Sequence, residues 1–208
     1  MDQSESPTRE QIQQQYQSAV SFVQGLLNPV MVDGNYSFGL LTELSALSLN
    51  RQATVFQIVK EIRLLERGQE SASTTKGAAM FTKPLLAGYW HKHYFAASFI
   101  RKNILLEMAK DNTLRKVLGG YFGQILTEAH IGKLVHQLVY DNLRVRGLDS
   151  RLTGEWLIFS MAGGRRNYLT LGTHAEGNNN ISERIRRHEK LDDESGWDWR
   201  ISRFTFAS

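Results

Sequence analysis

At Thr153 the chain changes its periodicity, and this change constrains the fold more than any other feature of the sequence. Before it, apolar residues recur at helical spacing. After it, Trp156-Leu157-Ile158-Phe159-Ser160-Met161 and Tyr168-Leu169-Thr170-Leu171 are short β-rich runs on either side of Gly163-Gly164-Arg165-Arg166. Two such runs joined by paired glycines predict a β-hairpin, because the favoured tight turns need positive φ at their central residues. A polar loop at 175–180 leads to a short basic helix near 181–190, and 199–206 reads as a closing strand. The order is helices and then β-β-α-β, which predicts an α+β fold: a helical N-terminal half followed by a small antiparallel sheet.

The first 150 residues carry the helices. Thr8-Arg9-Glu10-Gln11 has the form of a capping box, and Ile12, Tyr16, Val20, Val23 and Leu27 continue at helical spacing until Asn28-Pro29. A second helical region is predicted over 38–66 with a break near Ser48-Leu49-Asn50; Val55, Ile58, Val59, Ile62 and Leu65 form its apolar stripe and Arg67-Gly68 closes it. Further helices are predicted over 95–110, 113–118 and 127–146. The stretch 69–80 is small and polar, the composition of a mobile surface loop. The chain therefore divides into an N-terminal helical region (1–68), a flexible loop (69–82) and an α+β part (83–208) that carries the candidate site.

Composition removes several chemistries. The 208 residues include no cysteine, so disulfides, thiolate nucleophiles and cysteine-based metal sites are excluded. The N-terminal Met1-Asp2-Gln3-Ser4-Glu5-Ser6 is acidic and polar, and no stretch of some eighteen apolar residues occurs, so the expectation is a cytoplasmic protein without a membrane partner. A formal charge of +4 permits nucleic acid as a partner without requiring it.

Two segments carry candidate chemistry. Trp90-His91-Lys92-His93-Tyr94 places two of the six histidines one residue apart among aromatics. Imidazole is the side chain whose charge changes near neutral pH. The second segment, Asn167 to His174, would put Tyr168, Thr170 and His174 on one outward strand face by alternation, with Leu169, Leu171 and Thr173 turned to the core. Glu155 would enter the same sheet one strand away, where it could orient a histidine. Lys92 and Arg101 would give the histidines a positive surrounding suited to a phosphodiester. No helical His-Glu-x-x-His motif is present, His130 and His136 sit on different helix faces, and the sequence implies neither a metal nor a cofactor.

An early helix-borne histidine followed by a late hairpin carrying Asn167-Tyr168-Leu169-Thr170-Leu171 and His174, then a short helix and a strand, loosely resembles the barnase/EndoU/colicin/RelE-like class of bacterial and phage nuclease toxins. The resemblance covers 84–206. It implies a metal-independent endoribonuclease in which His91 or His93 exchanges protons with His174 while Tyr168, Thr170 and a nearby arginine bind phosphate. The sequence leaves a second reading open: a non-enzymatic accessory or immunity-type protein, docking a protein partner through its N-terminal helices, with structural histidines.

Overall fold

The computed structural model describes residues 7–95, 100–109, 113–120 and 154–197, with isolated positions between 127 and 149. The expected 127–146 helix lies largely, and the closing strand entirely, outside the described residues.

Helix α1 spans Arg9–Leu27 and begins with the anticipated capping box: Gln11 N–H donates to Thr8 Oγ1 at 3.2 Å, and Thr8 N–H donates to Gln11 Oε1 at 2.8 Å. Pro29, which lacks an amide hydrogen, follows in a 3₁₀ turn, Asn28–Val30. A two-residue strand β1, Asn35–Tyr36, precedes helix α2, Phe38–Glu66, capped by the Ser37 hydroxyl. Helix α2 bends at Arg51 (φ −143°, ψ 51°), one residue past the expected break. Strand β2 is Ala79–Met80 and strand β3 is Trp90–Tyr94; helices α3, Ile100–Met108, and α4, Thr113–Gly119, follow. Strands β4, Glu155–Ala162, and β5, Arg165–Gly172, form the predicted hairpin around Gly163 and Gly164, both at positive φ (57° and 78°). Helix α5 covers Asn178–Ser195, longer than the sequence suggested, and Gly196 ends it in the left-handed region.

The α+β class holds. The sheet has five strands in the order β1-β5-β4-β3-β2, and it is mixed rather than antiparallel throughout, because β1 runs parallel to β5. Leu157, Phe159, Tyr94 and Tyr168 pack under α2 with Leu40, Leu44, Ile58 and Ile62, and α1 adds Val23 and Leu27. Ile158 points the other way and packs with Leu169 against Ile181 and Ile185 of α5. Gly39 lets α5 approach α2: a Cβ there would fall 2.0 Å from the His188 ring. Among the described residues no helix is long and apolar enough to cross a membrane.

A β-bulge fixes which side chains face which layer. Ile158 pairs with Thr170, but Phe159 pairs with Tyr168, leaving Leu169 as the extra residue. One extra residue inverts the alternation upstream of it. Tyr168 is therefore not on an outward face with Thr170 and His174; it lies fully buried under α2 and donates its hydroxyl to Glu66 Oε1 at 2.8 Å.

Lys92 also departs from expectation. Alternation along β3 turns it away from His91 and His93 and into the layer beneath α2, where it is 0% exposed. Its ammonium lies 3.1 Å from Glu61 Oε2 and donates to Ser73 Oγ, Thr75 Oγ1 and the Lys76 carbonyl. Burial lowers its pKa, and the Glu61 carboxylate opposes that shift. The 69–80 stretch, read as a surface loop, thus sends Ser73 and Thr75 into the interior. Breaking one side of such a pair leaves a buried charge alone, so Glu61→Gln is expected to cost about 3–5 kcal/mol in urea unfolding, whereas the apolar double replacement Glu61→Leu with Lys92→Met recovers most of that loss. A single variant within about 0.5 kcal/mol of the parent contradicts the assignment.

Candidate functional site

Three histidines from two distant parts of the chain meet on the sheet face opposite α2. His91 and His93, two apart on β3, face the same way with ring centroids 5.5 Å apart. His174 comes from the turn after β5 and stacks on His93 at 5.4 Å with 22° between the rings. Trp156 is the floor they share: it pairs with His93 across β3–β4, and its ring lies 4.4 Å from His174 and 5.4 Å from His91. Phe81 closes the other side, 4.4 Å from His91. Gly172, opposite Trp156, lets the Ile158 side chain sit against the strand; a Cβ there would lie 2.9 Å from Ile158 Cδ1.

His93 is held in one orientation. Its Nδ1 lies 3.2 Å from the Gly154 carbonyl, so the neutral ring donates from Nδ1 and presents Nε2 as the proton acceptor. Only glycine fits at 154, since a Cβ would fall 1.7 Å from the Tyr94 carbonyl oxygen. Burial pushes the His93 pKa down to about 4; the Gly154 bond opposes this, while His91, His174 and Lys76 deepen it. Burial likewise lowers His91, joined by His174 and Lys76 and opposed by the Ala79 backbone. Both rings are therefore neutral at pH 7 and are bases rather than cations. Two buried nitrogens here, His91 Nδ1 and Trp156 Nε1, lack hydrogen-bond partners among the described residues.

The other anticipated site residues lie elsewhere. Tyr168 and Lys92 are in the α2 layer as described. Thr170 is buried, donating to Glu43 Oε1 at 2.8 Å and accepting from Arg184 Nε at 3.0 Å, where β5 runs past the end of short β1. Glu155 orients no histidine; it accepts the Tyr94 hydroxyl at 2.9 Å on the α2 side. Arg101 falls on α3, and its side chain lies outside the described residues. Lys76, Phe81 and Gly154 carry no sequence signal that marks them for this site, and Trp156, one of four tryptophans able to stack a base, reads from sequence as core or rim. Lys76 is the exposed cation whose field reaches His91 and His93, and its own carbonyl is fixed by buried Lys92. Among the described residues no three histidine or carboxylate side chains converge to hold a metal ion.

A cavity of about 870 Å³ lies by the bend of α2 and holds Glu43, Glu155, Glu176 and Arg184. These charges satisfy one another: Arg184 grips Glu176 with both terminal nitrogens (2.6 and 2.8 Å), and Glu43 takes the Leu171 N–H and the Thr170 hydroxyl. In the histidine cluster, by contrast, His91 Nδ1 and Trp156 Nε1 have no partner among the described residues.

Depressed histidines carry a pH signature. The unfolded chain binds a proton at an imidazole near pH 6.5, while folded His93 resists it down to about 4. Stability present above pH 6.5 is then lost as pH falls toward 4, on the order of 3 kcal/mol from this residue. Urea unfolding at pH 7 and pH 4 should show His93→Gln losing that much less than the parent; equal losses in both chains contradict it.

No family model matches the chain, and no curated protein or solved structure matches it. Its functional reading rests on the geometry of the histidine cluster.

Proposed function

We propose that the chain is a nucleic-acid-acting protein, a metal-independent endoribonuclease whose acid–base groups are His93 and His174. The observation that carries this reading is the stack of a buried, oriented, neutral imidazole on an exposed one, brought together from segments about eighty residues apart. Cleavage of RNA without a metal needs a base for the 2′-hydroxyl, an acid for the departing 5′-oxygen and positive charge for the phosphorane-like transition state. His93 Nε2 takes the 2′-proton, the 2′-oxygen attacks phosphorus, and the P–O5′ bond breaks as His174 in its imidazolium form protonates the leaving oxygen. The products are a 2′,3′-cyclic phosphate and a free 5′-hydroxyl. Lys76 and the unpartnered Trp156 N–H supply positive charge and a donor for the phosphoryl oxygens. A bound phosphate also favours protonated imidazole, offsetting the mutual repulsion of the three rings.

A second reading, docking of a protein partner through the N-terminal helices, is favoured by Phe22 and Phe56. These pack edge to face at 6.0 Å, yet remain 37% and 48% exposed on the outer side of α1 and α2.

Incubation of the purified chain with end-labelled RNA in EDTA separates the two. Cleavage is expected from the parent, with His93→Gln and His174→Gln each slower by about 100-fold or more and Tyr168→Phe retaining activity. The acid limb of kcat/KM is expected near pH 4, where folded His93 titrates, rather than near 6.5. A parent that leaves RNA intact, or a His93→Gln chain as active as the parent, overturns the ribonuclease reading.

A further inference from the structure

A separate cavity of about 550 Å³ opens on the α5 side of the sheet, between β1, the tip of the β4–β5 hairpin and the C-terminal end of α5. It reaches Ser160, four residues and so about 13 Å along β4 from Trp156. At its base lies Asn35, only 7% exposed. The Asn35 amide nitrogen donates to Asn167 Oδ1 at 2.9 Å, but its own oxygen is buried without a partner among the described residues. A buried carbonyl left unpaired is costly, and an acceptor without a partner is matched by a ligand that brings a donor to it.

We propose that this cavity binds a nucleoside monophosphate whose base bears an exocyclic amine. Three lining groups fit three parts of that molecule. Asn35 Oδ1 accepts from the amine, and Asp192, which lines the same cavity, adds a further acceptor, one of its oxygens already taking the Phe38 N–H at 2.7 Å. The Trp197 indole offers a wall for a flat base; it is held by its own N–H bond to the Tyr36 carbonyl and by contact with the Tyr36 and Phe38 rings at 6.0 and 5.5 Å. Arg165, exposed at the hairpin tip and without an ion pair among the described residues, takes the phosphate.

Spacing distinguishes this ligand from an amino acid, which also combines an N–H donor with an anion. Asn35 lies opposite Asn167, two residues along β5 from Arg165 and one strand across. The acceptor and the cation thus start from backbone positions about 8 Å apart. An α-amino acid carries its ammonium and carboxylate on one carbon, whereas a nucleotide separates its amine from its phosphate by the length of base and sugar.

Titration calorimetry on the full chain tests this with adenosine and cytidine 5′-monophosphate, each beside its amine-free counterpart, inosine and uridine 5′-monophosphate. At least one amine-bearing nucleotide is expected to bind with Kd below about 1 mM and at least about tenfold more tightly than its counterpart. Asn35→Ala should erase that preference. Arg165→Gln, at an exposed position, should weaken the nucleotide about tenfold and leave the matching nucleoside unaffected. His93→Gln should bind as the parent does, so failure of the ribonuclease reading leaves this one standing. No nucleotide binding at 1 mM, equal binding of the amine-free pair, indifference to Arg165→Gln, loss in His93→Gln, or tighter binding of phenylalanine overturns the proposal.

Discussion

The buried pair of Lys92 and Glu61 decides where the histidines go. A strand turns alternate side chains to opposite faces, so once Lys92 is drawn under α2 by the Glu61 carboxylate, His91 and His93 can only stand on the other face. The same ammonium holds Ser73, Thr75 and the Lys76 carbonyl, fixing the segment that leads into β2. A buried ion pair is a weak source of net stability, because desolvation of both charges offsets their attraction. Its effect here is on arrangement: it ties α2, the 73–76 segment and β3 in one register, and a slip of β3 by one residue would leave both charges without partners.

The face opposite α2 has its own logic. Apolar rings from Phe81 and Trp156 keep water from His91 and His93, and burial in turn makes protonation costly. The cost is concentrated on His93, the ring most closely held by its neighbours, while His174 remains in an exposed turn. His93 and His174 touch in unlike surroundings, one ring buried and the other exposed, and burial is what lowers the proton affinity of His93. Gly154 makes this possible, since the chain there passes too near the Tyr94 carbonyl for any side chain.

Features set by nearest neighbours in sequence were legible. The Thr8–Gln11 capping box and the Gly163-Gly164 turn are written in four residues each, and both formed as read. The strand at 90–94 was not legible: Trp90 to Tyr94 lead into a helical run and read as its entry, and only pairing with β4 makes them β3 and brings His91 and His93 to His174. Tyr168 could not be placed correctly, because the bulge at Leu169 depends on how β5 pairs with β4, and one inserted residue sends Tyr168 to the core. The parallel strand β1 is two residues long and has no compositional signature. Lys92 is a different case: alternation alone sets it opposite the two histidines, and its partner lies thirty-one residues earlier on a helix.

His91, His93 and His174 must act together on a phosphate-bearing strand if they are a catalytic group rather than a structural one. Their imidazole nitrogens can be followed by long-range ¹H–¹⁵N spectra while an uncleavable 2′-O-methyl RNA is added, with pH varied from 4 to 8. The expected result is that these three resonances move together on binding and that His93 becomes easier to protonate than in the free chain, as a neighbouring anion requires. If the strand binds while the three rings stay unmoved and the shifts fall on His130 and His136, the histidine cluster is structural and the central claim is contradicted.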